Sequence, residues 1–283
     1  VRRALGAGKH VFCDKPLSPT HAEALDLAAT ARRSGLKNGV VMANLWLPGL
    51  RKLKSLVDAD FFGRILHVRG EHGYWVFEGD TRPGQRPSWN YRAAEGGGIV
   101  LDMMCHWHYM LEHLFGPIRR VTCAARTFIP RRWDETGQPY EADADDAAAV
   151  VCEMASGALV QITLSWCTRV RRDDLMVMQV DGTGGSAVTG VFDCLTQHRS
   201  QTPSLVWNAE DRPSIDYRAA WLPVADLPPL GNAFKVHWER FLRHVAEDAP
   251  YAWDFAMAAR GIELVEKCHL ASRNGTWETL SPA

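Results

Sequence analysis

The spacing of apolar residues changes along the chain, and each change marks an element. Val1 to Gly8 reads as the end of a helix closed by glycine, and His10–Cys13 as a short buried strand. Thr20 to Arg33 places Ala24, Leu27, Ala28 and Ala31 on one helical face, with Gly35 after it. Val40–Asn44 is strand-like again. The order α–β–α–β predicts a piece of a parallel, doubly wound sheet, with Lys15 and Asn44 just past strand ends, where such sheets bind ligands. A helix over Leu50–Val57 and a strand over Ile65–Gly70 follow. Residues 71–95 show no period and read as one long polar and aromatic loop containing Trp75, Trp89, Asn90, Tyr91 and Arg92. Loops of that length are usually functional or disordered, and the tryptophans argue against disorder.

Three glycines, Gly96–Gly98, then open the most regular helix pattern in the chain. Val100, Met104, Trp107, Leu111 and Leu114 form one apolar stripe. Asp102, His106, Tyr109 and His113 fall on the opposite face. A solvated face normally carries Lys, Glu and Arg, whereas this one carries a carboxylate, two imidazoles and a phenol. Asp102 and His106 stand at i and i+4, so a hydrogen bond that fixes the imidazole is expected. From the helix alone, a ligand-binding face and an exposed polar stripe are equally good readings.

Strand-like runs follow at Arg120–Phe128, Ala147–Met154, Ala158–Trp166, Leu175–Asp181 and Ser186–Val191, with turn signals at Ser156-Gly157 and Gly182–Gly185. They predict a large open, mostly antiparallel sheet. Residues 196–232 are rich in proline and polar residues and read as loops. Helices built around Phe234–Val245 and Phe255–His269 close the chain, with His237 and His269 read as packing or surface residues.

Composition narrows the function classes. The 283 residues are 46% hydrophobic and 23% charged, with a net charge of −1, so no basic surface points to nucleic acid. No apolar run of about 18 residues and no signal peptide are seen, which predicts a cytoplasmic protein without membrane contact. The seven cysteines are scattered and include no C-x-x-C pair, the usage of reduced thiols.

Two segments together resemble one family. Ala7-Gly-Lys-His-Val-Phe-Cys-Asp-Lys-Pro-Leu17 resembles the "AGKHV…EKP" segment of the Gfo/Idh/MocA oxidoreductases, the glucose–fructose oxidoreductase and inositol dehydrogenase type. Gly96-Gly-Gly-x-x-x-Asp102-x-x-x-His106 resembles their second signature, in the same order and at a similar separation. Asp181–Ser186 resembles a further family turn. The resemblance implies an α/β protein. Residues 1–45 would be the C-terminal remnant of a doubly wound Rossmann domain. Residues 46–283 would be a substrate and oligomerisation domain, with its last helices able to pack back on the first. It implies hydride transfer between NAD or NADP and a sugar, polyol or related hydroxy compound. It implies a homodimer or homotetramer and no metal.

Position by position, the resemblance makes Lys15, His106 and Asp102 the catalytic group. It puts Asp14, Lys15, Pro16, Asn44, Trp89 and Arg92 near the cofactor, with a cis bond before Pro16. Lys15, Trp75, Asp102, His106 and Tyr109 would face the substrate. The chain departs from the family pattern in three ways. Asp14 replaces a glutamate, and Tyr109 stands where many members have a second aspartate. The Gly-rich phosphate loop is absent, since Gly182–Gly185 lies between strands and opens no helix. At about 30 residues per βαβ unit, roughly 80–100 residues of such a domain are expected before Val1, so a truncated form that binds dinucleotide weakly is expected.

The residue types suit alcohol oxidation: a histidine poised near neutral pH or a lysine of lowered pKa can take the hydroxyl proton as hydride leaves carbon. Either His106 or Lys15 fits that role. Two alternatives share the fold, namely NAD-assisted glycoside cleavage and a non-catalytic sugar or nucleotide sensor. A metal-dependent hydrolase using Asp102, His106 and His113 is disfavoured, because one helix rarely supplies a full ligand set.

Overall fold

A computed structural model of the chain describes residues 1–74, 86–204, 208–210 and 215–282. The first elements are α1 (Arg2–Gly6), β1 (Val11–Cys13), α2 (His21–Ser34) and β2 (Asn38–Val40), with β1 and β2 paired in parallel. The Thr20 side chain starts α2 by accepting a hydrogen bond from the Glu23 amide, and Gly35 ends it at φ 64°. β2 ends earlier than its apolar run. The Met42 amide donates to His237 Nδ1 instead of to a strand, and Ala43–Trp46 winds into a 3₁₀ turn.

α3 (Pro48–Asp58) and β3 (Ile65–Gly73) come next. Trp75, expected at the substrate, lies outside the described residues. Two 3₁₀ turns, Ser88–Tyr91 and Ala93–Glu95, lead into α4 (Ile99–Phe115). Then follow β4 (Ile118–Arg126), a hairpin of β5 (Arg131–Trp133) and β6 (Pro139–Glu141), β7 (Ala147–Met154) and β8 (Leu159–Ser165). β9 (Met176–Gly182), β10 (Gly185–Thr189), β11 (Cys194–His198) and β12 (Leu222–Pro223) complete the run of strands. α5 (Ala233–Glu247), α6 (Phe255–Asn274) and β13 (Glu278–Thr279) end the chain. Asn232 and Asp254 start α5 and α6 by accepting from amides of the first turn.

The main sheet has nine strands in the order β12-β11-β10-β9-β3-β8-β7-β4-β13. It is antiparallel except at its centre, where β3 runs parallel to β8. Side chains alternate across it. Val68, Val160, Ile162, Met178 and Val180 are fully buried beneath α4 and α6. On the other face Arg69, Glu71, Gln161, Thr163 and Gln179 line an open depression of about 260 Å³. α6 also packs on α2 and β2, tying the first elements to the sheet layer.

α4 is not the half-solvated helix its polar stripe suggests. Of the four residues expected on that face only His113 is exposed, and Tyr109 is buried. One side of α4 meets the sheet, and the other meets α6 and the turn at Ala43–Trp46. His108 is buried as well, with Nε2 3.2 Å from Glu112, which also binds Arg260.

Candidate active site

Close packing requires two of the three glycines before α4, Gly97 and Gly98, while Gly96 has open space around it and a φ of 81°. A Cβ on Gly97 would lie 2.6 Å from the Trp89 and Asn90 carbonyl oxygens. Gly98 has φ 112°, and a Cβ there would lie 2.9 Å from Asp145 Oδ1. Asp145 caps the helix: its carbonyl accepts from the Ile99 amide at 2.8 Å and its carboxylate from the Val100 amide at 2.7 Å. A helix N-terminus so occupied offers no seat for a phosphate. What Gly97 and Gly98 achieve is the close packing of the helix start on the 3₁₀ turn at Trp89–Asn90 and on Asp145.

That approach brings together residues far apart in the chain. Lys15 follows the C-terminal end of β1, and the Lys15–Pro16 bond is cis, as expected. Lys15 Nζ donates to Asp102 Oδ1 at 2.5 Å and to the Asp102 carbonyl at 2.9 Å. Arg86 Nη1 donates to the other carboxylate oxygen at 2.8 Å, and its guanidinium lies over the Trp166 ring at 4.6 Å. Burial pushes the Asp102 carboxyl up, but Lys15 and Arg86 outweigh it and hold the group below the usual carboxylate range.

His106 does not bond Asp102, contrary to the i, i+4 expectation. Its Nδ1 meets the Tyr109 hydroxyl at 2.6 Å, while the two cations occupy Asp102. Burial drives the His106 imidazole down to about 3, and the nearby Lys15 ammonium adds to the fall. The ring is therefore neutral at ordinary pH. Among the described residues the Tyr109 hydroxyl has no acceptor but Nδ1. Its proton thus points at Nδ1, which leaves hydrogen on Nε2. The neighbouring Cys105 thiol is pushed up to about 12 by burial and stays un-ionised.

A cleft of about 220 Å³ opens beside this group, lined by Asp14, Lys15, Pro16, Arg86, Trp89 and Asp102 among others. It lies past the end of parallel strand β1, where doubly wound sheets receive nucleotides. Trp89, 47% exposed, is among its lining residues. These residues fit the nicotinamide and ribose end of a dinucleotide. Asn44 stands apart, on the 3₁₀ turn with its backbone N–H facing the Tyr109 phenol. Arg92 is directed away: it pairs with Glu95 at 3.0 Å and lies over Tyr140 at 4.4 Å. The i, i+3 spacing to Glu95 gives Arg92 a nearer carboxylate than any in the cleft.

Arg86 was not legible as a site residue, since one arginine in an aperiodic stretch carries no signal. Among the described residues no three His, Cys, Asp or Glu side chains come together to hold a metal ion.

Comparison with known proteins places the chain in a family. The profile of the GFO/IDH/MocA C-terminal domain matches residues 50–188. That of the oxidoreductase family with an NAD-binding Rossmann fold matches residues 1–42. A D-xylose dehydrogenase from Paenarthrobacter nicotinovorans is 47% identical over 270 residues, which cover 94% of this chain and 70% of that protein. The chain belongs to the Gfo/Idh/MocA oxidoreductase family. The levoglucosan dehydrogenase of Pseudarthrobacter phenanthrenivorans is 24% identical, over 65% of this chain and half of that protein's length. A crystallographic levoglucosan dehydrogenase in its apo form superposes with a TM-score of 0.82 at 20% identity, covering 99% of this chain and 76% of that one. A complex of levoglucosan dehydrogenase with NADH and L-sorbose superposes at 0.81 and 20% identity, covering 98% and 75%. These structural likenesses establish the family's α/β fold for this chain. All seven cysteines of this family member are free thiols. No helix among the described residues is long and apolar enough to cross a membrane.

Proposed function

We propose that the chain carries the catalytic group of an NAD(P)-dependent dehydrogenase acting on a hydroxyl carbon of a sugar or polyol. Residues 1–45 form the cofactor side and residues 46–283 the substrate side. The observation that carries this reading is the Lys15–Asp102–Arg86 ion cluster at the rim of the cleft. The 47% identity to a D-xylose dehydrogenase makes an aldopentose the first substrate to try.

When bound, the nicotinamide supplies the hydride acceptor. Asp14, Pro16 and Trp89 would hold its ribose and ring. The Nε2–H of neutral His106 donates to the substrate hydroxyl oxygen and orients it. Lys15, in its amine form, takes the hydroxyl proton as the carbonyl forms. Asp102 then holds the resulting ammonium through the contact already present at 2.5 Å. Arg86 keeps Asp102 ionised and fixed on its second oxygen.

The test is formation of reduced cofactor from NAD⁺ or NADP⁺ with a panel of aldoses and polyols, compared with the Lys15→Met variant. Turnover that falls by about 10²-fold or more in the variant supports the assignment. Because weak dinucleotide binding is expected, cofactor is supplied at millimolar concentration, and no turnover under that condition with either cofactor on any member of the panel overturns the reading.

A further inference from the structure

Arg86 and Trp89 line the cleft from residues 86–92, a segment that is regular only at the 3₁₀ turn Ser88–Tyr91. A single 3₁₀ turn makes few hydrogen bonds of its own, so its place is set from outside.

The outside support is the β5–β6 hairpin, a two-stranded sheet separate from the main one. Asp134 shapes its tip, where Oδ1 accepts from the Thr136 and Gln138 amides, each at 2.9 Å. That tip carries Glu135, which is exposed, to Ser88, which is buried. Glu135 Oε1 accepts from the Ser88 amide at 2.7 Å, and Oε2 accepts from the Ser88 hydroxyl at 2.8 Å. On β6 the Tyr140 hydroxyl donates to the Ser88 carbonyl at 3.1 Å. One hairpin thus takes every polar group of one residue.

An exposed glutamate is ordinarily solvated, and it gives up much rotamer freedom to be held this way. The Ser88 amide, its own amide and the Ser88 hydroxyl together hold the Glu135 carboxyl below the usual carboxylate range.

Ser88 stands two residues from Arg86 and next to Trp89. The Arg86 amide donates to the Tyr91 hydroxyl at 3.1 Å, which closes residues 86–91 into one unit. From that unit the Arg86 guanidinium lies over Trp166 and reaches Asp102. A displaced Ser88 would carry Arg86 with it, and Asp102 would lose one of its two cations.

We propose that Glu135 is a positioning residue of the active site: by clasping Ser88 it sets Arg86 on Asp102 and Trp89 at the cleft wall. It touches no reacting group itself. This proposal rests on the dehydrogenase reading above.

The experiment compares the wild type with Glu135→Ala, Glu135→Gln, Ser88→Ala and Arg86→Gln, and with Glu135→Ala combined with Arg86→Gln. Initial rates are measured on the aldose and polyol panel with cofactor at millimolar concentration. In parallel, the Arg86 side-chain Nε–H signal is followed by NMR at neutral pH and assigned by its loss in Arg86→Gln. The Trp166 ring current shifts that signal upfield while the guanidinium stays over the indole. Glu135→Ala should lower kcat about tenfold, because a small misplacement near the reacting groups is costly. Its Tm checks that the fold is kept. Glu135→Gln should keep most of the rate, since its amide can accept from the Ser88 N–H and donate to the hydroxyl oxygen. Ser88→Ala, which removes the hydroxyl bond alone, should show the same changes in smaller measure. In the Arg86→Gln background Glu135→Ala should cost little more, because changes that act through one contact are not additive. The Arg86 signal should move downfield in Glu135→Ala and hold its place in Glu135→Gln. A wild-type kcat in Glu135→Ala, no rescue by glutamine, a tenfold loss repeated in the Arg86→Gln background, or an unmoved Arg86 signal would each overturn the proposal. If the wild type turns over no member of the panel, the dehydrogenase reading fails separately. The Arg86 signal then decides the Glu135 assignment alone.

Discussion

Lys15 and Asp102 stand 87 residues apart in the chain and meet at 2.5 Å. The contact joins the end of a parallel strand to the first turn of α4, so it fixes the geometry between cofactor side and substrate side. Lys15→Met should lower kcat by about 10²–10⁴-fold, the usual contribution of a positioned acid or base. Asp102→Asn should cost less, about 10–10²-fold, because an amide still accepts from Nζ but no longer balances the ammonium. Steady-state rates of the two variants check the order.

His106 is predicted not to titrate where histidines ordinarily do. Burial holds it at about 3, so the pH–rate profile should lack an inflection from this group near pH 6.5. His106→Gln keeps a donor and should lose about tenfold in kcat, whereas His106→Phe should lose about 10²-fold or more. An imidazole signal for His106 that titrates near pH 6.5 would contradict the neutral assignment. His113, exposed on the far turn of α4, should be replaceable by alanine with little change in rate.

Acid should destabilise the fold through its buried imidazoles. His72 and His237 are lowered to about 4 and His106 to about 3, all chiefly by burial. Between about pH 6.5 and those values the unfolded chain binds protons that the folded chain refuses. Stability is therefore fully present above pH 6.5 and falls as pH drops toward 4. Thermal unfolding from pH 7.5 to 4.5 should show Tm decreasing, with a shallower slope in His237→Gln. His237→Phe should cost about 1–3 kcal/mol at neutral pH, because it leaves the buried Met42 amide without its acceptor.

The open face of the sheet is the expected contact between subunits. Leu159 and Leu195 are 46% and 39% exposed on the same face as Gln161, Thr163 and Gln179. An uncovered sheet of nine strands favours a second layer. Light scattering at micromolar concentration should give a dimer or larger. Thr163→Arg at the centre of the face should shift the mass toward the monomer with little change in Tm extrapolated to low concentration.

Gly97→Ala tests why the glycines are there. The new methyl would meet two carbonyl oxygens at 2.6 Å. The 3₁₀ turn at Ser88–Tyr91 must then move away from the start of α4. Both stability and activity should fall, by about 1–3 kcal/mol for the first. If the glycines served a phosphate instead, cofactor KM would change and stability would not.

Local pattern alone was enough for the elements that bury one face. The alternation in Ala147–Met154 and the three-and-four spacing in α2 and α4 mark strand and helix, because burial on one side imposes a period on the chain. The Lys15 and Asp102–His106 motifs were legible as a resemblance, since their residue types are unusual at those places. Other features depended on neighbours distant in sequence. β11, β12 and β13 are two to five residues long and exist only because a partner strand is there to pair with. The periodicity of α4 could not reveal that its polar face is covered, because that depends on the elements it packs against. Spacing put Asp102 within reach of His106, but two cations from residues 15 and 86 claimed the carboxylate and left the imidazole to Tyr109. A charged partner outbids a neutral one for a buried carboxylate, and only the folded chain determines which partners arrive.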